Sequence, residues 1–213
     1  MKDLASALSM LKQYEGNIPY MYLDSRGYVT VGVGFLLDSV NTATNYTFYL
    51  NAAAVTQPSP VVLSVPQKAT ADQIKGEWTE IKGQATPHLA NFYEKFTTMK
   101  MLQGDIDAAL TTKINGFEAS ARQTFSDWDH FASSAQLALL DMIYNLGSLS
   151  AFPKLVGAAN EKDWATCTAE CHREGPSEQR NNDTKNRFLA AAKEQPLTPP
   201  PAKPGAATQP AHP

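Results

Sequence analysis

Glu15-Gly16-Asn17-Ile18-Pro19-Tyr20-Met21-Tyr22-Leu23-Asp24-Ser25-Arg26-Gly27-Tyr28-Val29-Thr30-Val31-Gly32-Val33-Gly34 decides how this chain is read. Upstream, Leu4, Leu8 and Leu11 recur at helical spacing with Ala7 beside them, which predicts an amphipathic helix delivering Glu15 to its C-terminal end, where Gly16 stops it. Tyr20 to Leu23 and Tyr28 to Val33 are rich in β-formers, and Ser25-Arg26-Gly27 between them reads as a hairpin turn. Two carboxylates thus stand at the ends of structural elements: Glu15 at the negative end of a helix dipole, an environment suited to a general acid, and Asp24 beside an exposed turn. Paired acids are the machinery that cuts a glycosidic bond. Gly32 and Gly34 allow a close approach of backbone to the cleft, or serve simply as strand and turn glycines.

The full pattern, Glu15-x8-Asp24-x5-Thr30 followed at once by Val31-Gly32-Val33-Gly34-Phe35-Leu36-Leu37, resembles the phage-type lysozymes of glycoside hydrolase family 24 without a gap from Glu15 to Leu37. The resemblance implies a muramidase cutting the β-1,4 bond between N-acetylmuramic acid and N-acetylglucosamine. Glu15 would be its acid, Asp24 its base or water-orienting carboxylate, and Thr30 the holder of the water. It also implies an α+β, mainly α, lysozyme-like fold, with a short sheet in a small N-terminal lobe and a larger helical C-terminal lobe. Gly34 and Leu36 fall to substrate contact on the same ground. Phe35 departs from the family, which usually carries a histidine there that can pair with an aspartate at the position of Asp105.

Asp105-Ile106-Asp107-Ala108-Ala109-Leu110 is similar to the phrase with which the family's helices enter the second lobe. Ser134 to Gly147 is apolar almost all round, with Leu137, Leu139, Leu140, Ile143 and Leu146, so it predicts a buried central helix closed by Tyr144 and Asn145. The resemblance assigns Tyr144 and Asn145 to the saccharide, against ordinary packing at a helix end. The segment Gln179 to Phe188 resembles the final family helix, whose arginine faces the catalytic acid. Arg180 is the choice for that acid-tuning role, with Arg187 as competitor and a solvated helix charge as the plain alternative.

Residues 1 to 195 form the expected catalytic domain, and 38 to 104 stand outside the resemblance. From Ser39 to Gln67 there is not one charged side chain, which marks an insertion. Its Tyr46, Phe48 and Tyr49 either stack on sugar rings or, the favoured reading, pack on the main body. Thr70 and Gln73 have the spacing of a capping box. From Pro196 the chain places seven of its 14 prolines in 18 residues, a composition that predicts an extended or disordered tail, 196 to 213.

With 18 basic and 21 acidic residues, a formal net charge of -3, the chain has no electrostatic footprint for nucleic acid. Cys167 and Cys171 lie four apart on an expected helix, too few for a disulfide scaffold, with one bond left open. The histidines, His88, His130, His172 and His212, show no metal-site spacing, so neither metal nor organic cofactor is expected. The start, Met1-Lys2-Asp3-Leu4-Ala5-Ser6, lacks the pattern of a secretory signal, and no stretch is long enough for membrane insertion. A monomer made in the cytoplasm and delivered to periplasm or cell wall by other machinery is the expectation, as a phage endolysin or as an antibacterial effector with an immunity protein. Its partner would be peptidoglycan glycan strands. The alternative is a lysozyme-fold module that binds glycan, or builds a larger particle, without cutting it.

Overall fold

The computed structural model describes residues 1–51, 65–86 and 88–195. Much of the uncharged insertion, including Pro58 and Pro60, and the whole Pro-rich tail lie outside the described residues. The architecture is α+β and mainly α, and the chain divides into two compact units, Met1–Ala121 and Arg122–Pro213.

The first unit opens with α1, Leu4–Glu15, whose N-cap Asp3 accepts the Ser6 N–H at 3.0 Å. Such a cap contributes about 1 kcal/mol. The helix buries Ala7, Met10 and Leu11 and stops at Gly16, whose φ of 82° is the left-handed backbone that favours glycine. Three strands follow, β1 (Ile18–Leu23), β2 (Val29–Gly32) and β3 (Phe35–Leu36), antiparallel in the order β1-β2-β3. Tyr22 stands opposite Thr30 and Thr30 opposite Leu36, while an irregularity between Ile18 and Tyr22 shifts the register of β1. Alternation buries Met21 and Leu23 from β1, and β2 is buried throughout.

The insertion folds against this sheet. Short α2 (Val40–Ala43) is capped by Ser39, and β4 (Tyr49–Leu50) pairs with β5 (Met99–Lys100). Between them, α3 (Ala71–Lys82) starts with the expected capping box, Thr70 and Gln73 each bonding the other's backbone, and the short α4 (Ala90–Tyr93) follows. Phe48 is fully buried and Tyr46 stacks on Phe35 with centroids 5.7 Å apart, so these two aromatics pack on the body as the favoured reading had it. Phe35 is itself buried, with the Lys113 ammonium 5.2 Å from its ring centroid. Burial lowers the Lys113 pKa, and the ring face supplies the cation with a partner. The long α5 (Gln103–Thr124) runs out of this unit.

The second unit is helical among the described residues: α6 (Ser133–Leu146), α7 (Pro153–Asn160), α8 (Trp164–Glu170) and α9 (Glu178–Glu194). Its centre is a run of touching aromatic rings, Phe125, Trp128, Phe131, Trp164 and Phe188. Burying each such ring contributes roughly 1.5–3 kcal/mol. Helix α6 is buried from Ala138 to Ile143, as its composition predicts, but Leu146 at its end is 38% exposed. Cys167 in α8 and Cys171 just after it are buried free thiols, not a disulfide. No helix among the described residues is long and apolar enough to cross a membrane.

Candidate active site

The first unit holds five of the candidate residues, Glu15, Asp24, Thr30, Gly34 and Leu36. Glu15 is the last residue of α1 and is half-buried. The turn between β2 and β3 brings Gly34 beside it: a Cβ built on Gly34 would lie 3.7 Å from Glu15 Oε2. That contact would be an ordinary one, so it is the φ of 67° that calls for glycine there. At Gly32 both constraints act, since its φ is 65° and a Cβ would meet the Phe35 ring at 2.7 Å.

Asp24 organises the hairpin turn. Its Oδ1 accepts the Arg26 N–H at 2.9 Å and the Tyr28 N–H at 2.8 Å, while its own N–H donates to the Tyr28 carbonyl at 2.9 Å. This is an Asx turn, and Gly27, with a φ of 76°, completes it. The insertion braces the turn from outside. Lys82 at the end of α3 donates to the Gly27 carbonyl at 2.7 Å and sits 5.7 Å from the Tyr28 ring centroid, and Trp78 Nε1 donates to the Leu37 carbonyl at 2.9 Å.

Thr30 sits in the middle of a row across the sheet, Tyr22, Thr30, Leu36, because directly opposed residues of neighbouring strands share a face. It is 4% exposed and its hydroxyl donates to the Tyr28 carbonyl at 3.2 Å, whereas Leu36 is exposed. Tyr22 is the residue that sequence reasoning missed. Its phenol is pushed above the usual tyrosine value by burial first, then by the Asp24 carboxylate, then by that of Glu15. One hydroxyl therefore feels both candidate acids. The signal was present in the hairpin pairing, which sets the second residue before Asp24 across from Thr30.

Tyr144, Asn145 and Arg180 belong to the second unit. Tyr144 is half-buried and Asn145 exposed in the last turn of α6, which Gly147 closes with an N–H bond of 2.8 Å to the Ile143 carbonyl. Arg180 lies in the first turn of α9 and is 7% exposed, so it is not a solvated helix charge. Its Nε and Nη2 reach Asp141 Oδ1 at 2.9 and 2.8 Å. The other oxygen of Asp141, Oδ2, accepts Nη2 of Arg173 at 2.7 Å and the Thr184 hydroxyl at 3.0 Å. The buried cluster therefore carries two guanidinium charges on one carboxylate. Asp141, Arg173 and Thr184 were not singled out from the sequence, although an aspartate inside an apolar helix demands a cationic partner.

No protein-family model matches the chain, and comparison with curated proteins gives no match. The side chains themselves carry the case for function.

Proposed function

We propose that the chain is a muramidase of the phage-lysozyme kind, hydrolysing the β-1,4 bond between N-acetylmuramic acid and N-acetylglucosamine in peptidoglycan. The observation that carries this reading is the local geometry: the β2–β3 turn sets Gly34 beside the Glu15 carboxylate, and Tyr22, two residues before Asp24, stands opposite Thr30 in the sheet. Acid, second carboxylate and hydroxyl thus occupy neighbouring positions, as glycoside hydrolysis requires.

In the proposed reaction Glu15 protonates the glycosidic oxygen as the bond from that oxygen to the anomeric carbon breaks. A water attacks the anomeric carbon from the opposite face and gives its proton to Asp24. Both backbone N–H bonds to the Asp24 side chain fall on Oδ1, which fixes the carboxylate, and Oδ2 is the oxygen proposed to take the proton. The Thr30 hydroxyl, whose hydrogen points to the Tyr28 carbonyl, offers that water an acceptor. Tyr144, Asn145, Gly34 and Leu36 are proposed to contact saccharide, and Arg180 to tune the acid. Such an enzyme reaches the wall as a phage endolysin or as a secreted antibacterial effector paired with an immunity protein.

The test is Glu15→Gln, which keeps shape and hydrogen bonding but has no proton to deliver. Hydrolysis of purified peptidoglycan should fall by about a hundred- to ten-thousandfold, with circular dichroism unchanged. A folded variant that clears peptidoglycan near the parent rate would overturn the assignment. Glycan binding by a parent chain that cuts nothing would favour a non-catalytic module.

A further inference from the structure

A pocket of about 390 Å3 opens in the first unit where the start of β1 meets β5 and the turn before it. Backbone bonds fix its frame on three sides. The Pro19 carbonyl accepts the Met101 N–H at 2.8 Å, which fastens β1 to the residue after β5. The pairing of β4 with β5 continues one step further, as the Asn51 N–H donates to the Thr98 carbonyl at 2.8 Å. The single 3-10 turn Glu94–Phe96 is closed by Thr97, whose N–H and hydroxyl both donate to the Glu94 carbonyl, at 3.1 and 2.8 Å.

Two opposite charges line this pocket without neutralising each other. Glu94 opens the turn and Lys100 ends β5; both are exposed, and among the described residues neither has an ion-pair partner. Pro19 and Tyr20, each half-buried, add the apolar wall, and Asn51 adds an amide at the rim. Burial first, and then the Glu94 carboxylate, raises the Tyr20 phenol above its usual value, which places that hydroxyl within electrostatic reach of Glu94. A simple anion would satisfy Lys100 and be repelled by Glu94, and a simple cation the reverse. A ligand that completes both must bring one charge of each sign.

We propose that this pocket binds a free α-amino acid with an apolar side chain, its ammonium on the Glu94 carboxylate, its carboxylate on the Lys100 ammonium, and its side chain against the Pro19 and Tyr20 rings. An α-amino acid carries both charges on one carbon, so a single small molecule meets both walls. The interior of a polypeptide would not serve, because peptide bonds consume the amine and the carboxyl that the pocket recognises. The volume lies at the small end of the range of about 300–1,000 Å3 for ligand sites, as a ligand of this size requires. Glu94 and Lys100 fall in the segment that the family resemblance leaves uncovered, so the charges of this site are the chain's own. The site includes none of Glu15, Asp24 and Thr30 and stands independently of the muramidase reading.

The test titrates the full chain with leucine and follows it by amide NMR. The signals of Tyr20, Glu94, Thr97 and Lys100 should move and saturate together. N-acetylleucine, which lacks the ammonium, and leucinamide, which lacks the carboxylate, should each bind about tenfold more weakly, in keeping with the loss of one charge-assisted hydrogen bond. Variants then assign the partners. Glu94→Gln should no longer distinguish leucine from N-acetylleucine while still discriminating against leucinamide, and Lys100→Met should show the mirror pattern. Both side chains are exposed, so the melting temperature should stay at the parent value in each variant. Shifts that do not saturate, capped analogues that bind as well as leucine, or the same loss of preference in both variants would overturn the proposal. Because no glycan enters the titration, its outcome bears on the pocket alone and leaves the muramidase to the Glu15→Gln test.

Discussion

Asp141 and Arg180 form a buried ion pair in which one carboxylate oxygen receives both Nε and Nη2 of the guanidinium. With Arg173 and Thr184 on the other oxygen, Asp141 is the hub on which α6, α9 and the segment between α8 and α9 are joined.

Removing that hub strips away the carboxylate that two guanidinium groups share. Asp141→Ala should lose about 3–5 kcal/mol of stability, the usual cost of stripping one partner from a buried pair. Urea unfolding is the measurement. Thr184→Val, which removes the hydroxyl that touches Asp141 and Arg173 but leaves every charge in place, should cost less, about 2 kcal/mol. Equal losses in the two variants would mean that the charges are not the source of the stability.

Stereochemistry tests the role given to Thr30. A water between the two carboxylates gives inversion, so a defined oligosaccharide should release its first product as the α-anomer. Proton NMR before mutarotation reads the outcome. Detection of the β-anomer first would replace the water with a covalent intermediate on Asp24.

Glu77 supplies a pH dependence. This residue of α3 is buried with its Oε2 accepting the Thr98 N–H at 2.5 Å and the Thr98 hydroxyl at 2.9 Å. Burial raises its pKa above the usual glutamate value, and the bonds from Thr98 oppose part of that rise. A carboxyl with a raised folded-state pKa stabilises the fold fully below its unfolded pKa, and that contribution is lost as pH climbs through the folded value. Glu77→Gln should therefore gain stability relative to the parent between pH 4 and pH 7. Parallel curves of the two proteins across that range would refute the linkage.

Cysteine reactivity follows from burial. The Cys167 thiol is pushed up to about 12, first by desolvation, and Cys171 is raised for the same leading reason. Since the thiolate is the reactive form, neither should be alkylated by iodoacetamide at pH 8 within minutes in the native protein. Both should react at once in denaturant, with mass spectrometry as the count.

Local signals were readable in the sequence because the residues concerned are neighbours along the chain. Leu4, Leu8 and Leu11 with Gly16 set the helix that ends at Glu15, and Thr70 with Gln73 set the cap of α3. Ser25-Arg26-Gly27 likewise announced the turn that Asp24 closes. What escaped was set by distant partners. Arg180 was singled out, but its bond to Asp141 spans 39 positions, and no periodicity marks such a pairing. The support of the hairpin from α3 was hidden for the same reason, since Lys82 and Gly27 are 55 residues apart. Gln195, the last residue before the Pro-rich tail, carried no signal of a structural role in the sequence. Its amide instead donates to the His130 carbonyl at 2.7 Å and accepts the Ala132 N–H at 3.1 Å.

The hold of α3 on the hairpin bears on how portable the candidate site is. Residues 1 to 37 carry the whole acid, turn and hydroxyl pattern and would be the natural piece to graft onto another scaffold. Yet the Gly27 carbonyl has its ammonium donor, and the Leu37 carbonyl its indole donor, from residues more than 40 positions downstream. A transplant lacking α3 would carry the candidate residues without their anchor, so fragment and insertion form one transferable part.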